Sequence, residues 1–448
     1  MINLASPLPS CPPPDTISTI PPTAQLGQPV AAGAGGVDRA GGAVGLGVGE
    51  GVLSTSLICY HACYLALIQH QDTDYPMNFG LTDEQQILTN VARRFVAERV
   101  PMSKVRDVTE SPNAIDDNLW SEMADLGWFG LTVDEAYGGA GLGFVDLAVL
   151  LEETGRGLLP GPLVSTSLAA TAISEFGNDE QKQRYLPSLA DGSAIGSLAV
   201  LEENDLLGPD GIALIGTKES DGYCLSGAKR FVHDVGSSTL FIVPFRAGKD
   251  IALAVVPSSA DGVRAKSHST MDQTKRMGDL SLEGVFVPHG DVLGETKNGA
   301  AALSRLLDLA AVAVTAEMIG AMDRALEITT EYAKNRIQFG APIGKYQGVK
   351  HPLAEMYVDV ETSRSLVYYA AWCVSDQPEA LPAAAARAKA YASEAFTRIG
   401  IDGVQLHGAI GFTAEYDIQL YLKRSKWALP AFGDAAFHYE RLARLGGY

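Results

Sequence analysis

Residues 336–343 read RIQFGAPI, and residues 405–412 read QLHGAIGF. Both runs contain glycine, which has no Cβ and therefore lets a backbone approach a flat, charged ligand closely. The first run also carries Arg336 and Phe339, three residues apart. A guanidinium suits a pyrophosphate and an aromatic ring suits a heterocycle. Together the two runs predict a site for a nucleotide-like ligand near the C-terminal end of the chain.

The net charge of the chain limits the classes of molecule that it can bind. The formal net charge is −19 at pH 7 in a chain of 448 residues. This argues against binding to nucleic acid, which requires clustered Lys and Arg, and against an anionic membrane surface. A small anionic ligand is still compatible, because one local arginine can act against the overall field. The cysteines are odd in number and scattered, which predicts no disulfide framework and favours a reducing, cytoplasmic location.

The first 76 residues differ in composition from the rest. Residues 1–51 are rich in Pro, Gly, Ala and Val, and such a composition predicts disorder. Residues 52–69 are apolar but lack basic flanks, so we do not expect a membrane anchor. Cys59, His61 and Cys63 lie in this stretch without a second ligand pair, and we predict no metal site. We expect residues 1–76 to be a disordered or mis-assigned leader, with Met77 as the true start.

The periodicity of the remaining chain changes twice. Apolar residues recur at helix spacing from Thr82 to about Leu189, short β-rich runs separated by turns follow, and helical spacing returns from about Ala300. The last part contains segments suited to four antiparallel helices. We therefore predict an α+β protein. Its parts are an N-terminal helical domain (77–194), a middle antiparallel β domain (195–295) and a C-terminal four-helix bundle (296–448).

This α, β, α order and the two quoted runs resemble the acyl-CoA dehydrogenase family over roughly residues 78–448. The pattern around Trp120, Trp128 and Tyr137 resembles the helical domain of the same family. The resemblance implies an FAD-dependent enzyme that introduces an α,β double bond into an acyl-CoA thioester during β-oxidation of a fatty acid or a side chain. It also implies a flavin between the β domain and the bundle, with its adenine end reaching a neighbouring protomer.

The resemblance assigns residues to the cofactor. Arg336 would pair with the pyrophosphate and Phe339 would pack on the adenosine side, while Gln347 resembles a contact near the adenine. The partner chain would line the pyrophosphate with Gln405, Gly408 and Ala409. Taken singly, Arg336 is better explained as a cation at a helix end, and Gly408 and Gly411 as bend residues. The joint pattern is what favours FAD.

The β-domain half of the site departs from the family pattern. Where the family has Thr-Glu-Pro-x-Ala-Gly-Ser-Asp, residues 201–206 read LEENDL, and where it has Trp-Ile-Thr, residues 231–233 read FVH. Phe231 can still cover a flavin face, with less area than Trp. His233 falls where a threonine normally meets the flavin N5 edge. The alternative for His233 is a surface residue in a β turn.

The expected catalytic glutamate is absent. The family carries it near the C-terminus or, in a minority branch, on the first bundle helix, where this chain has Ala310. Residues 430–442 read PAFGDAAFHYERL. Counting back from Arg441 and Leu442 puts Asp434 in the glutamate's place, whereas counting forward from Glu415 falls two residues short. Asp434 is therefore the candidate base, and it equally suits the N-cap of a final helix. The two roles are compatible.

Three functions remain open at this point. The first is a catalytic FAD-dependent acyl-CoA dehydrogenase that uses Asp434. The second is a non-catalytic partner subunit that completes the flavin site of a heterotetramer, because the FGDAA ending resembles small subunits of heteromeric acyl-CoA dehydrogenases. The third is a flavin oxidase or monooxygenase of the same fold. The implied partners are an acyl-CoA substrate, a tetramer (homomeric, or α2β2 with a paralogous subunit) and electron-transferring flavoprotein.

Overall fold

The computed structural model describes residues 80–111 and 114–447. The expectations for residues 1–76, including the apolar stretch, the cysteines near His61 and the start at Met77, lie outside the described residues. Within the described ones, helices come first, then a sheet, then helices again. This order confirms the α+β prediction, while the domain boundaries stay predictions.

The N-terminal part consists of helices. Their order is α1 (Asp83–Arg99), α2 (Met102–Thr109), α3 (Asp117–Asp125), α4 (Phe144–Arg156), α5 (Leu163–Phe176) and α6 (Asp179–Ala190). Helix α1 begins at Thr82 because the Thr82 side chain accepts from the Gln85 N–H while the Gln85 side chain accepts from the Thr82 N–H. This capping box satisfies two backbone donors that the helix itself leaves free.

The middle part is one mostly antiparallel sheet. Its strands are β1 (Gly196–Leu198), β2 (Ile215–Lys218), β3 (Gly222–His233), β4 (Leu240–Ala247), β5 (Asp250–Pro257), β6 (Val263–His268), β7 (Met277–Pro288) and β8 (Val292–Leu293). Their spatial order is β6-β7-β3-β2-β4-β5-β8, with β1 parallel to β4. Strand β6 has no apolar alternation because four of its six residues are exposed, so the sequence pattern does not reveal it.

The C-terminal part is the helical bundle. It contains α7 (Gly299–Asn335), α8 (Gln347–Asp376), α9 (Leu381–His407), α10 (Ile418–Ala428) and α11 (Ala435–Leu445). A short hairpin of β9 (Ile337–Gln338) and β10 (Ala341–Pro342) separates α7 from α8. Helices α7 to α10 match the four predicted segments, and α11 is held to α7 by the ion pair of Arg441 with Asp308.

Helix α7 is the central element of the bundle. Its 37 residues correspond to about 55 Å at a rise of ~1.5 Å per residue. By length and composition it is apolar enough to cross a membrane, but 72% of its most apolar window is buried inside the protein. We interpret it as the core helix on which α4, α8, α9 and α10 pack.

Two glycines bring α4 and α7 into backbone contact. A Cβ added to Gly320 would lie 1.7 Å from the carbonyl oxygen of Glu152, and one added to Gly155 would lie 2.0 Å from that of Glu317. The two contacts are reciprocal, so each helix presents a glycine to the other helix's backbone. Side chains at these positions would force the helices apart.

We expect Gly320→Ala to destabilise the protein by about 1–3 kcal/mol, because the added methyl overpacks a backbone contact. The matched control is Gly348→Ala in the first turn of α8, where an added Cβ meets no atom within 4 Å. That control should be neutral or slightly stabilising, since alanine favours helix more than glycine. Thermal unfolding of both variants measures the difference. Equal midpoints would contradict the need for close α4–α7 contact.

Candidate functional site

A bulge in β3 carries the two β-domain candidates. The pairing of β3 with β7 shifts register between Lys229 and Val232, which leaves Phe231 in the left-handed region at φ 49°. Its side chain is 54% exposed, an unusual state for a large apolar ring in a strand. The bulge therefore presents an aromatic face to whatever lies next to the sheet.

His233 lies at the end of the same strand, between two rings of the C-terminal part. Its imidazole centroid is 5.3 Å from that of Trp427 and 4.9 Å from that of Phe432. The residue is half-buried rather than placed on an exposed turn. Burial, together with the positive charge of Lys275, lowers the pKa of His233 to about 3. The imidazole is therefore neutral at physiological pH and offers one donor and one acceptor.

Asp434 follows Phe432 by two residues, so the candidate base and His233 share one region. Its carboxylate caps α11, because Oδ1 accepts from the Phe437 N–H at 2.8 Å. Phe432 and Gly433 both have positive φ, 55° and 99°. The predicted cap is thus present, and the half-buried carboxylate keeps a second oxygen for other chemistry. Ala310, the alternative base position, is fully buried in α7.

The Arg336 run forms the tip of the bundle. Arg336 is the C-cap of α7 and is exposed. Among the described residues no acidic side chain forms an ion pair with it. Phe339 occupies the hairpin turn at φ 52° and is 92% exposed. Gln347, the first residue of α8, is exposed beside this turn.

The second run lies next to the first. Gly408 is the C-cap of helix α9 and has φ 66°, with no atom within 4 Å of an added Cβ. Gln405, in the last turn of the helix, and Ala409, directly after the cap, are exposed. The connection runs through Tyr332 near the end of α7. Its ring centroid is 4.3 Å from that of His407, and its hydroxyl donates to the His407 carbonyl.

The candidates thus fall into two groups within one chain. Phe231, His233 and Asp434 form the bulge group, whereas the tip group consists of Arg336, Phe339, Gln347, Gln405, Gly408 and Ala409. Helix α7 separates them. Glu317 contacts Lys275 near the bulge group, and Tyr332 contacts the tip group fifteen residues later. That spacing corresponds to about 22 Å along the helix axis, so a single chain does not bring the two groups together.

A buried ionic cluster packs against Trp427, which contacts His233 of the bulge group. Arg424 donates to Asp272 at 2.6 Å and to Glu317 at 2.9 Å, and Lys275 lies 2.8 Å from the same Glu317 oxygen. All four residues are at most 4% exposed. Lys275 and Arg424 also lie over the Trp427 ring at 5.1 and 5.8 Å. The two charge pairs balance, and they join the loop between β6 and β7 to α7 and α10 at the position of Trp427.

Sequence reasoning missed Lys389, Trp427, Phe432 and the ionic cluster. A signal for Lys389 existed: it lies on a helical stripe with Ala385, Ala392 and Phe396, all of which are fully buried. The cluster had no local signal, because its members are separated by up to 152 positions in the chain.

Comparisons with known proteins cover most of the chain. The model of the acyl-CoA dehydrogenase C-terminal domain matches residues 297–446, and that of the N-terminal domain matches residues 82–193. The probable acyl-CoA dehydrogenase YngJ of Bacillus subtilis is 30% identical, over 82% of this chain and 98% of that protein. Acyl-CoA dehydrogenase IpdE2 of Mycolicibacterium smegmatis is 31% identical, over 82% and 98% of the two chains.

Solved structures share the same architecture. Butyryl-CoA dehydrogenase from Megasphaera elsdenii is 28% identical with a TM-score of 0.77, covering 83% of this chain and 100% of that one. The ChsE4–ChsE5 complex from Mycobacterium tuberculosis is 27% identical with a TM-score of 0.77, covering 83% and 99%. A structure described as an FAD-dependent dehydrogenase is 26% identical with a TM-score of 0.76, covering 83% and 100%.

Proposed function

The chain belongs to the acyl-CoA dehydrogenase family, and on that premise we propose that it introduces an α,β double bond into an acyl-CoA thioester with Asp434 as the base. FAD is the cofactor. The observation that carries the proposal is the position of a half-buried carboxylate two residues from Phe432, whose ring contacts His233 at the edge of the β3 bulge. A base is needed there because the α proton must leave before or as the double bond forms.

The residues present suit FAD. The tip group offers an exposed guanidinium that pairs with no acidic side chain in the part of the chain that the structure describes, an exposed aromatic ring and an open glycine turn at Gly408. These are the donors and surfaces that a pyrophosphate and an adenine require. The bulge group offers the exposed ring of Phe231 for the isoalloxazine. When bound, FAD supplies the two-electron acceptor of the reaction.

The chain's own residues have separate tasks in this proposal. Asp434 takes the α proton onto its free carboxylate oxygen, while its other oxygen keeps the α11 cap. Neutral His233 provides a hydrogen-bonding group without adding a positive charge beside the site. Trp427 and Phe432 pack on His233 and exclude water from that side, which strengthens local electrostatic interactions.

The test is reduction of the purified holoenzyme by acyl-CoA in the absence of oxygen. A yellow protein whose absorbance band near 450 nm bleaches on adding acyl-CoA supports the proposal. Release of peroxide with rapid reoxidation in air would instead support the flavin oxidase or monooxygenase. A protein that retains FAD but is not reduced by any acyl-CoA chain length, alone or with a partner subunit, contradicts dehydrogenation.

A partner subunit of a heteromeric enzyme is the second candidate. One observation favours it: a similar structure is the ChsE4–ChsE5 complex. The spacing of about 22 Å between the two residue groups along α7 requires two chains for one site in a homomer and in a heteromer alike. A colourless chain that becomes yellow only when co-expressed with a paralogous subunit would support this function over the first. We further propose a tetramer, electron-transferring flavoprotein as acceptor and a cytoplasmic location, the last in keeping with the free thiols Cys224 and Cys373.

We expect Arg336→Gln to raise the dissociation constant for FAD about 10- to 100-fold, since a charge-assisted hydrogen bond contributes about 1.5–3 kcal/mol. Lys334→Gln is the matched control, because it removes the same charge two residues away, at a side chain that is 68% exposed. Titration of the apoprotein with FAD, followed by flavin fluorescence, gives both constants. Equal affinities in the two variants would remove Arg336 from the site.

A further inference from the structure

Lys389 is a buried cation beneath the loop that carries Asp434. Its side chain is fully buried in α9. Its Nζ lies within hydrogen-bond distance of four acceptors, which share its three N–H donors: Ser393 Oγ at 2.9 Å and the carbonyl oxygens of Ala428 at 3.0 Å, Leu429 at 2.9 Å and Gly433 at 2.8 Å. All four acceptors are uncharged. The ammonium therefore joins the end of α10 to the residue directly before Asp434.

Helix geometry explains two of these acceptors. The carbonyls of Ala428 and Leu429 belong to the last turn of α10, which leaves them without partners inside the helix. A cation is favoured at that end because the helix macrodipole is negative there. At the other end of the loop, the Asp434 carboxylate satisfies an N–H of α11, where an anion is favoured. Opposite charges thus fix the two ends of the segment 429–433.

The loop between these ends has little freedom to adjust. A Cβ on Gly433 would lie 2.5 Å from the Phe437 ring. The His438 ring nitrogen Nε2 is 3.0 Å from the Phe432 carbonyl and donates to it as the neutral tautomer. Burial, with the charge of Lys389 next, lowers the pKa of His438 to about 3, so this imidazole stays neutral. We therefore expect loss of the Lys389 contacts to move the whole loop rather than to remove single hydrogen bonds from an unchanged loop.

Keeping a lysine in this interior is energetically unfavourable. Burial lowers the pKa of Lys389 to about 7, against the opposite effect of the Asp434 charge. An apolar residue with the same volume would avoid this penalty but would take this donor away from the buried carbonyl of Ala428 and the half-buried carbonyls of Leu429 and Gly433. Besides Lys389, the charged groups that act on this region are Asp434, the N-cap of α11, and Arg441 within α11.

We propose that Lys389 is a positioning residue, which fixes the carboxylate of Asp434 for proton abstraction by holding the carbonyls of Leu429 and Gly433. The inference rests on the proposed function of Asp434. Lys389 itself does not reach substrate, because it is fully buried. A misplacement of about 1 Å at a reacting group can lower a rate about 100-fold, so loss of the ammonium should act on the chemical step and leave binding unchanged.

The test compares Lys389→Met with Tyr391→Phe in the holoenzyme. Tyr391 lies on the same helix but donates to Asp359 of α8, so its variant loses one hydrogen bond without touching the loop. We expect Lys389→Met to lower the rate of flavin reduction at saturating acyl-CoA, and the exchange of the substrate's α-deuterium, about 10- to 100-fold. The dissociation constants for acyl-CoA and FAD should stay within about twofold. Lys389→Arg, which keeps charged donors, should recover part of the rate.

A double-mutant cycle separates positioning from general support. In the Asp434→Asn background, Lys389→Met should change the residual rate less than twofold, because the group through which it acts is gone. Amide exchange of residues 428–437 should also become faster in Lys389→Met and not in Tyr391→Phe, a readout that needs no turnover.

Several results would overturn the inference. One is a Lys389→Met rate equal to that of Tyr391→Phe in a wild type that is reduced normally; another is the same fold loss with and without Asp434. If Lys389→Met does not fold, Lys389→Gln is used, and failure of both to fold assigns Lys389 to folding instead. A wild type that acyl-CoA does not reduce contradicts the proposed function first, and the inference falls with it.

Discussion

Asp434→Asn should lower the rate of flavin reduction by acyl-CoA about 10²- to 10⁴-fold, the usual contribution of a general base. Asparagine keeps an oxygen that can accept from the Phe437 N–H, and it is as good an N-cap as aspartate. The helix α11 and the loop before it should therefore stay in place. Anaerobic stopped-flow absorbance near 450 nm measures the rate directly.

Asp116→Asn is the matched control for this variant. Asp116 caps α3 through the Leu119 N–H at 2.8 Å and also pairs with Lys104. Asp116→Asn therefore has the same effect on a helix cap as Asp434→Asn and in addition removes one ion pair. We expect the control to reduce flavin at the wild-type rate and both proteins to retain FAD. An unchanged rate in Asp434→Asn would remove Asp434 from the mechanism and favour the partner-subunit function.

Arg424→Met should destabilise the protein by about 3–5 kcal/mol, because it leaves buried carboxylates with too few cations. Arg424 is 1% exposed and binds Asp272 and Glu317, which are each 3% exposed. The loss should be visible as a lower urea midpoint. Tryptophan fluorescence is a suitable probe, since Arg424 lies over the Trp427 ring.

Two further variants test whether the loss of stability in Arg424→Met comes from the unpaired buried charge. Arg264→Met removes one member of an exposed pair whose side chains are 72% and 63% exposed, and it should change stability by no more than ~1 kcal/mol. Arg424→Met combined with Asp272→Asn should be more stable than Arg424→Met alone, because the unpaired buried charge is removed as well. A double variant that is less stable than the single one would show that packing, and not charge, dominates this position.

The fold was predictable where its signals are local. The capping box of Thr82 and Gln85 needs only four consecutive residues, and the strands with buried, apolar residues, such as β4 and β5, stand out as short runs between turns. The exposed strand β6 has no such run. The hairpin at Phe339 was also missed, because the sequence around Pro342 indicates only that a helix ends there.

The sequence identified which residues belong to the candidate site but not where they lie relative to one another. The runs around Arg336 and Gln405 were assigned to one cofactor, and the contact of Tyr332 with His407 brings them together. Phe231 and His233 were assigned to the same cofactor, yet His233 contacts Trp427, about 22 Å along α7 from the Tyr332 contact. Such placement depends on helix lengths and crossings, which no local pattern encodes. The contacts of Lys389 with the three carbonyls span 39 to 44 positions, so only tertiary structure reveals them.

The number of residues in helix α7 between its contacts with the bulge group and the tip group sets the distance and the rotation between these two groups. Each residue of an α-helix advances the chain by about 1.5 Å and turns it by about 100°. One residue inserted or deleted between Glu317 and Tyr332 would therefore rotate Arg336 by over a quarter of a circle relative to the Lys275 contact. Loops can lengthen or shorten elsewhere without this effect. The register of this one stretch sets the position of the tip group relative to the bulge group.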